Sequence, residues 1–587
     1  MPLTSIASDS LLPVEQHFRI AAGPGAGKTH WLVSHIKNVL QHSKKLGRTK
    51  KIACITYTNV AVDTILRRLD FVADRVEVST IHSFIYKNIV KPYVSFIAGD
   101  FELNVLKMDG HEDLIVSRKK ITEWLNGYPG AVSLSHPYTL RQLIQRPENM
   151  EALVNWLSSI SYEFTGDQLE IKTYNSQAYY IDGTDKRKML SKANCLDKLI
   201  PALPDFKKIY WRKGILHHDD VLYFGYLLLR KYPFIVSVLQ GKFPYFFMDE
   251  FQDTSPIQNA IVNILGQKEI KVGIIGDKAQ SIYSFQGASP VYFDSFSLPG
   301  FADYVIADNR RSTQMIVNLL NHIRKDIQQN PIRNIAGTKP ILIVGAKIAA
   351  VAEVKKILGH SDFTMLSRDN ITSNSLKREF NSAIPSVNLI TTLSNTDSDS
   401  ERRGATISCI KAVELAKQKR FKEAIKEMER NFFSVRDKSL RKKTSFRQLA
   451  FLLSKYDEYK KEKLLDFCSL IKAYLRPDLS KLTRGAAFDF CNNNSYEQLA
   501  VCVNIPDDNS PSRTIHKSKG DEFENLMVLI KDQTDLRFLL NSDLTSEEQR
   551  IWYVAVSRAM NHLFLSVPEL NPATEAKLSS LLDIQRI

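Results

Sequence analysis

A glycine-rich stretch near the start of the chain, AGPGAGKT at 22–29, combines residue types that suit phosphate chemistry. Glycines have no Cβ, so their backbone N–H groups can approach phosphate oxygens closely. A lysine after such a loop can bind β- and γ-phosphates, and the next threonine hydroxyl can bind Mg²⁺. The stretch therefore predicts a site for a nucleoside triphosphate such as ATP. Its residues are Gly23, Pro24, Gly25, Ala26, Gly27, Lys28, Thr29 and His30.

A second chemical signal is the acidic pair Asp249 and Glu250, at the end of a short apolar run from Tyr245 to Met248. Carboxylates at the carboxyl end of a buried strand lie where an open α/β sheet places its ligands. We expect Asp249 to hold Mg²⁺ together with Thr29, and Glu250 to orient and deprotonate the attacking water. An exposed acidic turn is the alternative, but it leaves the preceding apolar run unexplained.

The sequence around the glycine-rich stretch predicts the elements that position it. An apolar run from Phe18 to Ala22 indicates a strand, and Trp31, Leu32 and Ile36 follow with helical spacing. Strand, loop and helix in this order are the context that a phosphate-binding loop needs. The loop departs from the pattern G-x-x-x-x-G-K-S/T at its first position, which is Ala22.

Length and composition limit the classes of protein that fit, and 587 residues suggest roughly three to five compact units. Lys and Arg outnumber Asp and Glu by 79 to 64, an excess that fits a polyanionic partner. The six cysteines form no C-x-x-C pair, so we expect buried apolar side chains and not metal ligands. No apolar run approaches the ~18 residues that span a bilayer, and the amino terminus does not resemble a signal peptide. We therefore expect a cytoplasmic protein with no membrane partner.

Eight elements in order resemble the motifs of the UvrD/Rep/PcrA group of superfamily 1 helicases. They are AGPGAGKT (22–29), ITYTNVAVDTILRRL (55–69), STIHSF (79–84), DEFQDT (249–254), GDKAQSIYSFQGA (276–288), NRRS (309–312), TIHKSKGDEF (514–523) and EEQRIWYVAVSRA (547–559). The resemblance, which extends over most of the chain, implies an α/β fold of two RecA-like P-loop motor domains, each with a mainly helical insertion. It also implies ATP hydrolysis with Mg²⁺ that drives 3′-to-5′ movement on single-stranded DNA.

The resemblance assigns further roles at the nucleotide. Gln280 would sense the γ-phosphate, and Arg311 and Arg558 would be arginine fingers that reach across a cleft between the motor domains. An arginine in such a place offsets charge on the transferred phosphoryl group. Arg310, beside Arg311, could fill the same role. Glu522 would contact the ribose.

The same motifs assign a path for single-stranded DNA. Relatives bind the strand through base stacking on aromatic side chains and through phosphate contacts that do not depend on sequence. The matching positions for stacking are Tyr57, His82 and Phe285, and those for phosphate or sugar contacts are Thr56, Asn59 and Thr514. A lone aromatic residue is more often part of a core, so a packing role is the alternative for each ring.

Several positions depart from the family pattern. Arg310 replaces the aromatic residue that stacks on adenine, and His30 replaces a common arginine. Gln16 is the candidate for the glutamine that reads the adenine edge, although it lies closer to the loop than usual. Gln286 stands where the family has an arginine that links the DNA path to the nucleotide. We therefore expect a rebuilt base pocket, with the preference for ATP over other nucleotides left open, and looser coupling.

The motifs also divide the chain into segments. The expected segments are 1–93 for the first part of domain 1A, 94–212 for its insertion 1B, 213–308 for the second part of 1A, 309–390 for the first part of domain 2A, 391–505 for a reduced 2B-like insertion and 506–587 for the second part of 2A. The 2B-like insertion opens with a polar stretch at 394–404 that predicts a loop. A basic stretch follows near 406–432, which suits either a contact with duplex DNA or an acidic partner, or a solvated helix face.

Two functions fit this sequence. The first is an ATP-dependent DNA helicase or translocase that acts on single strands and on tailed or forked duplexes, in repair or replication restart. The second is a DNA- or nucleotide-sensing NTPase, similar to the helicase-like subunit of Gabija-type anti-phage systems, that works with a separate OLD-type nuclease. The presence of every catalytic residue supports the first function, whereas the compact size, the reduced insertion and the changed base pocket resemble the second. The chain ends shortly after its last motif, so we expect any DNA cleavage to belong to another chain; intact catalytic residues disfavour a mere scaffold.

Overall fold

The computed structural model of the chain separates into two compact units. The first unit comprises Met1–Arg311, Arg324–Asn334 and Leu544–Arg550, and the second comprises Ser312–Ile323, Ile335–Asp543 and Ile551–Ile587. The residues that the structure describes are 4–112, 114, 116, 118–130, 150–173, 179–181, 187–189, 199–284, 287–359, 361–377, 385–397, 399–432, 437–503 and 510–587. The segment boundaries expected from the motifs are finer than this division, and they stay predictions.

The strands of both units are numbered in chain order. They are β1 (Thr4–Ile6), β2 (His17–Ala22), β3 (Ile52–Thr56), β4 (Val76–Thr80), β5 (Ile160–Thr165), β6 (Gln168–Thr173), β7 (Tyr179–Ile181), β8 (Arg187–Met189), β9 (Tyr245–Met248), β10 (Lys271–Gly276), β11 (Phe301–Ile306), β12 (Asp308–Asn309), β13 (Asn330–Pro331), β14 (Ile341–Val344), β15 (Thr364–Ser367), β16 (Ser512–Thr514), β17 (Phe523–Leu529), β18 (Ala559–Val567) and β19 (Asp583–Arg586).

The first unit is built on a parallel sheet of strand order β1-β11-β2-β10-β9-β3-β4. Every residue of β3 and β9 is buried, which is typical of parallel strands with both faces covered. Gly276 of β10 pairs with Ala21 of β2, and Met248 of β9 pairs with Ile55 of β3. The carboxyl ends of these four strands therefore lie along one edge of the sheet.

Helices cover this sheet and form most of its insertion. Among the described residues they are Lys28–His42, Asn59–Leu69, Ile81–Ile85, Lys91–Tyr93, Ala98–Phe101, Arg118–Gly127, Met150–Ser158, Leu203–Trp211, His218–Lys231, Phe234–Lys242, Pro256–Gly266 and Val291–Ser295. The insertion has a core of its own around Trp124, Trp156 and Phe206, beside the antiparallel pair β5 and β6.

The second unit has a parallel sheet of strand order β16-β15-β17-β18-β14-β19. Its helices, in the described part of the chain, are Gln314–Ile323, Lys347–Leu358, Asn370–Lys377, Leu389–Thr396, Ser400–Lys417, Phe421–Glu429, Lys438–Ser454, Tyr456–Tyr459, Leu464–Leu470, Ala486–Asn493, Tyr496–Val501, Arg537–Leu540 and Pro572–Leu578. The helix Glu547–Val556 begins within the segment assigned to the first unit and ends within the second.

The insertion of the second unit is helical, and the prediction of a loop at 394–404 is wrong for most of its length. One helix ends at Thr396 and the next begins at Ser400. Asp399 caps the second helix, because its carboxylate accepts hydrogen bonds from the N–H groups of Glu401 and Arg402. A polar composition thus marks a break between two helices here, and the break is much shorter than the polar stretch.

The cysteines that the structure describes are buried, as the sequence predicted. Among the described residues, Cys54, Cys409, Cys468, Cys491 and Cys502 are buried and form no disulfide, while residue 195 lies outside the described residues. No group of three or more His, Cys, Asp or Glu side chains suited to a metal ion occurs in the described part of the chain.

No single helix in the described part of the chain has both the length and the apolarity that crossing a membrane requires. The bent pair His218–Lys231 and Phe234–Lys242, at 107°, meets the requirement only when its two helices are taken together.

A buried carboxylate, Asp220, ties the insertion of the first unit to the helix His218–Lys231. It accepts hydrogen bonds from Lys207 Nζ at 2.8 Å, Trp211 Nε1 at 3.1 Å, the His217 backbone N–H at 2.9 Å and the Tyr162 hydroxyl. The Lys207 and Asp220 side chains are 2% and 0% exposed. Burial alone would raise the pKa of Asp220, but the charge of Lys207 and the hydrogen bond from His217 outweigh it and hold the pKa below its usual value.

We expect Asp220→Asn to lower the free energy of unfolding of the first unit by about 3–5 kcal/mol, because it leaves the Lys207 ammonium buried without a counter-charge. A carboxyl with a lowered pKa stabilises the fold above the pKa of the unfolded chain and loses that effect as the pH falls. The difference between variant and wild type should therefore be constant above about pH 5 and shrink below about pH 4.

Denaturant unfolding at several pH values measures this difference, and Asp167→Asn, at an exposed position in the turn between β5 and β6, is the control. Equal losses of stability in the two variants would contradict the anchoring role of Asp220.

Candidate nucleotide and nucleic-acid sites

The glycine-rich loop joins β2 to the helix Lys28–His42. Gly25 and Gly27 have φ angles of 73° and 76°, a left-handed backbone that glycine adopts without strain. The Trp31 N–H donates to the Gly27 carbonyl at 2.8 Å, which starts the helix directly after the loop. Among the described residues no side chain caps this helix start, so its N–H groups and partial positive charge can serve an anion.

The loop is held from one side by the segment that follows β11. The Pro24 carbonyl accepts hydrogen bonds from Asn309 Nδ2 at 3.2 Å and from Gln329 Nε2 at 2.8 Å. A Cβ at Gly25 would lie 2.8 Å from the Arg311 Cβ and 2.8 Å from Asn309 Oδ1. Arg311 therefore lies against the loop and belongs to the same unit as the loop, and its role as an arginine finger stays a prediction.

Thr29 and Asp249 meet at the carboxyl edge of the sheet. Thr29 Oγ1 donates to Asp249 Oδ2 at 3.3 Å, and the Asp249 side chain is buried. Burial and the charge of Glu250 raise the pKa of Asp249 to about 7, against the opposing effect of Lys28. A hydroxyl and a carboxylate are oxygen ligands that fit Mg²⁺, and a bound cation would favour the ionised form of Asp249.

Glu250 has an unusual backbone, with a φ of 56° that non-glycine residues seldom adopt. Its side chain is fixed by Gln252, whose Nε2 donates to Glu250 Oε2 at 2.5 Å. The other end of the Gln252 amide accepts the Asp277 N–H at 2.9 Å. One amide thus joins the carboxyl ends of β9 and β10 and orients the carboxylate that could take a proton from water.

Gln280 belongs to a buried polar network that includes two residues to which the sequence assigned no role. Gln280 Nε2 donates to Asp277 Oδ2 at 2.6 Å, and Arg324 Nη1 donates to Asp277 Oδ1 at 2.6 Å. The Arg324 and Asp277 side chains are 2% and 0% exposed. Asp277 stands in the stretch GDKAQ and could have been found there, whereas Arg324 lies outside every motif.

The residues predicted for the nucleotide base are only partly brought together. The Arg310 N–H donates to the Gly25 carbonyl at 2.9 Å, and its Nε donates to Ser8 Oγ at 2.5 Å. Ser8 also lies beside the loop, 3.9 Å from the position of a Cβ at Gly27, and no sequence pattern marked it. His30 is exposed in the first helical turn.

Gln16 is not brought to the loop. It precedes β2, whereas the loop follows that strand, and six strand residues of about 3.3 Å each separate the two by about 20 Å. The Gln16 Oε1 instead accepts the Tyr304 hydroxyl at 3.2 Å. Its predicted contact with the base therefore lacks support, because closeness in sequence does not give closeness across the length of a strand.

The positions predicted for single-stranded DNA in the first unit follow the carboxyl ends of β3 and β4. Thr56 ends β3 and is buried, Tyr57 comes next, and Asn59 begins the following helix. His82 follows β4 in the same way. The Tyr57 ring stacks on that of Tyr283, with centroids 5.0 Å apart and planes at 15°.

Tyr283 was missed as a candidate, although it stands in the stretch QSIYSF beside Phe285. Its ring stacks on a predicted strand-binding residue, which makes it a candidate for the same role. Phe285 and Gln286 themselves lie outside the described residues.

The second unit contains the remaining predicted residues. Glu522 and Arg558 directly precede β17 and β18, where the Phe523 N–H donates to the Arg558 carbonyl at 2.9 Å. The Arg558 side chain is buried, with Nε donating to the Val554 carbonyl at 3.1 Å. Thr514 ends β16 and is buried.

The chain matches two family models. The model of the UvrD/REP helicase N-terminal domain matches residues 3–298, and that of the UvrD-like helicase C-terminal domain matches residues 304–569. With the two parallel sheets, these matches confirm the predicted fold class of two RecA-like α/β domains.

Several curated proteins are similar to the chain. It is 28% identical to the Gabija protein GajB of Bacillus cereus (strain HuB5-5), over 52% of this chain and 46% of that protein. It is 25% identical to the ATP-dependent DNA helicase srs2 of Schizosaccharomyces pombe, over 62% of this chain and 41% of that protein. It is 23% identical to the ATP-dependent DNA helicase PcrA of Bacillus subtilis (strain 168), over 57% of this chain and 41% of that protein. The chain thus spans less than half of the length of these relatives.

We expect Gly25→Ala to distort the loop, because the new Cβ would meet Arg311 and Asn309 at a backbone conformation that alanine rarely adopts. Strain and overlap together should amount to about 2–4 kcal/mol. Binding of a fluorescent ATP analogue, measured by titration, should weaken at least about tenfold.

Gly241→Ala is the matched control, since a Cβ at Gly241 meets nothing within 4 Å. If Gly25→Ala bound the analogue as tightly as the control does, the loop would not need the geometry described above.

Proposed function

The chain belongs to the UvrD-like helicase family, and on this premise we propose that it is an ATP-dependent DNA helicase or translocase that moves 3′-to-5′ on single-stranded DNA. The observation that carries the proposal is the shared sheet edge in the first unit. The glycine-rich loop, Asp249, Glu250 and Gln280 follow the carboxyl ends of β2, β9 and β10. Tyr57, which stacks on Tyr283, follows β3 on the same edge.

In the proposed reaction the loop and the helix start bind the phosphates of ATP, with Lys28 at the β- and γ-phosphates. Mg²⁺, held by Thr29 and Asp249, would offset the charge of the phosphate oxygens. Glu250, which Gln252 orients through a hydrogen bond to Oε2, accepts a proton from the attacking water. Gln280 orients this water near the γ-phosphate.

We propose that Arg311 and Arg558 act as arginine fingers, which stabilise the charge that develops on the transferred phosphoryl group. Arg311 lies against the loop, which supports its role. For Arg558 the support is its place in the stretch VAVSRA, and for Glu522, as a ribose contact, its place in TIHKSKGDEF.

Single-stranded DNA would lie along the edge formed after β3 and β4. Tyr57, His82 and Tyr283 offer ring faces for bases, and the exposed Asn59 offers a polar group for the backbone. For Thr56, whose side chain is buried, a backbone contact is proposed from its motif alone. We propose the same roles for Phe285 and Thr514 from their motifs. An excess of basic residues, 79 against 64 acidic ones, suits this partner.

A second candidate function is a DNA- or nucleotide-sensing NTPase subunit that activates a separate OLD-type nuclease in anti-phage defence. The similarity to the Gabija protein GajB over 52% of the chain favours it. Expression with a neighbouring nuclease gene discriminates the two functions. A stable complex, with weak unwinding by the chain alone, supports the sensing function; a monomer that unwinds efficiently contradicts it.

The proposed motor activity is tested by NTP hydrolysis with and without single-stranded DNA, with Lys28→Ala as the blank. We expect single-stranded DNA to raise the rate of hydrolysis. The rates with ATP and with the other three nucleotides show how selective the base pocket is, in which Arg310 replaces the family's aromatic residue. Duplexes with a 3′ or a 5′ tail then test direction. Hydrolysis that DNA leaves unchanged would contradict a motor.

We expect Glu250→Gln to bind ATP with wild-type affinity while kcat falls at least about 100-fold, because an amide cannot accept the proton from water. Single-turnover hydrolysis and nucleotide titration measure the two quantities separately. Glu269→Gln, at an exposed position before β10, is the matched control. Undiminished turnover in Glu250→Gln would assign the base to another residue.

A further inference from the structure

The stretch from Ser281 to Ser284 connects the nucleotide site to the candidate DNA face of the first unit. It follows Gln280 directly and contains Tyr283, whose ring stacks on Tyr57 at 5.0 Å. From Ser281 to Tyr283 the chain forms neither helix nor strand. Its position therefore depends on contacts from other parts of the chain.

The first contact comes from the hydrolysis site itself. Ser281 is buried, and its Oγ donates to the Gln252 carbonyl at 3.0 Å. The side chain of the same glutamine holds Glu250 at 2.5 Å. Two hydrogen bonds, both made by Gln252, thus connect Ser281 to the carboxylate of Glu250, which we propose as the base.

The second contact comes from Arg550, in the segment Leu544–Arg550 that belongs to the first unit. Arg550 Nε donates to the Ser281 carbonyl at 2.6 Å, and its Nη1 donates to the carbonyls of Leu544 at 3.0 Å and Thr545 at 2.7 Å. The arginine is 4% exposed. A planar guanidinium with several donors can join two chain segments rigidly in this way, whereas a lysine cannot.

The third contact comes from Glu547, at the start of the helix Glu547–Val556. Its carboxylate accepts the Ser284 backbone N–H at 3.0 Å and also the Ser284 hydroxyl. Arg550 and Glu547 therefore hold the two ends of the stretch that carries Tyr283.

We propose that Arg550 and Glu547 are positioning residues that couple DNA binding to ATP hydrolysis by holding the stretch Ser281–Ser284. This inference rests on the proposed function. A base that stacks near Tyr57 and Tyr283 would press on this stretch, and the stretch would pass the displacement to Gln280 and, through Gln252, to Glu250. Without the contacts from Arg550 and Glu547, the stretch Ser281–Ser284 would move away from the bound base. The displacement would then not be transmitted to Gln280 and Glu250.

Basal hydrolysis should not need these contacts. Asp277 holds Gln280 through two contacts that do not involve Arg550 or Glu547. Gln280 Nε2 donates to Asp277 Oδ2 at 2.6 Å, and the Gln280 backbone N–H donates to the Asp277 carbonyl at 2.8 Å. Glu250 is held by Gln252. Loss of Arg550 or Glu547 should therefore reduce the response to DNA much more than the basal rate.

The test compares full-length wild type with Glu547→Ala, Ser284→Ala, their double variant and Arg550→Lys. Basal kcat, DNA-stimulated kcat and the half-saturating concentration of an oligothymidine strand are measured for each. We expect the stimulated kcat to fall about tenfold in Glu547→Ala and Arg550→Lys, with basal kcat within about twofold and the half-saturating concentration within about threefold. The double variant should lose no more than Glu547→Ala, because the two side chains form one contact.

Two further variants sharpen the test. Glu547→Gln keeps an oxygen for the Ser284 N–H and should recover part of the stimulation. Glu548→Ala, at the exposed next position, is the control and should respond to DNA like wild type. If Arg550→Lys fails to fold, the coupling role is tested by Glu547→Ala and Ser284→Ala alone. Both variants should fold, because neither the Glu547 nor the Ser284 side chain is buried.

Failure of the inference differs from failure of the proposed function. Wild type that DNA does not stimulate would overturn both. A stimulated wild type whose variants respond equally well, or lose basal and stimulated rates in the same proportion, would overturn the coupling role and leave the motor function standing.

Discussion

Parallel pairing of β2, β10, β9 and β3 is the constraint on which the candidate sites of the first unit depend. Parallel strands end together, so the groups that follow them share one edge although they are far apart in sequence. The loop after β2, the acidic pair after β9, Asp277 after β10 and Tyr57 after β3 meet for this reason. The near-continuous burial of β3 and β9 fixes this pairing, because exposing either strand would lose much of the core.

Bringing these polar groups to one edge creates a second requirement, since buried charges and amides need partners. Asp277 meets it with Arg324 on one oxygen and Gln280 on the other. Gln252 meets it with both ends of its amide, towards Glu250 and towards the Asp277 N–H. The hydrogen bonds that pair these buried groups therefore also fix the positions of Gln280 and Glu250. The site is preorganised because its polar groups are buried and must be paired.

The sequence predicted what local spacing and strand order determine. The loop and the acidic pair follow from apolar runs that lead into polar groups, and the structure places both after their strands. The two α/β domains were implied by the resemblance to the helicase family and not by these runs. Gln16 shows the limit, because few residues separate it from the loop while a whole strand lies between them. Arg324 and Gln329 show another limit, since their contacts at the site join segments far apart in the chain, and no local pattern marks such pairs. The prediction of a loop at 394–404 was wrong for a third reason. Aspartate is as common at helix N-caps as in loops, and Asp399 is the N-cap of the helix Ser400–Lys417.

The site of the first unit is discontinuous, and this has a consequence for what the unit is. The match to the N-terminal family model ends at residue 298, yet Asn309, Arg324 and Gln329 all contribute hydrogen bonds to the loop or to Asp277 beside it. Leu544–Arg550 joins this unit through Ser281, more than two hundred residues earlier. A fragment that stopped at residue 311 would bury Asp277 without the counter-charge of Arg324, and an uncompensated buried charge is strongly destabilising. The nucleotide site is thus a property of the complete first unit, which draws on three separate parts of the chain. The first sheet supplies the position of the site but does not, by itself, complete it.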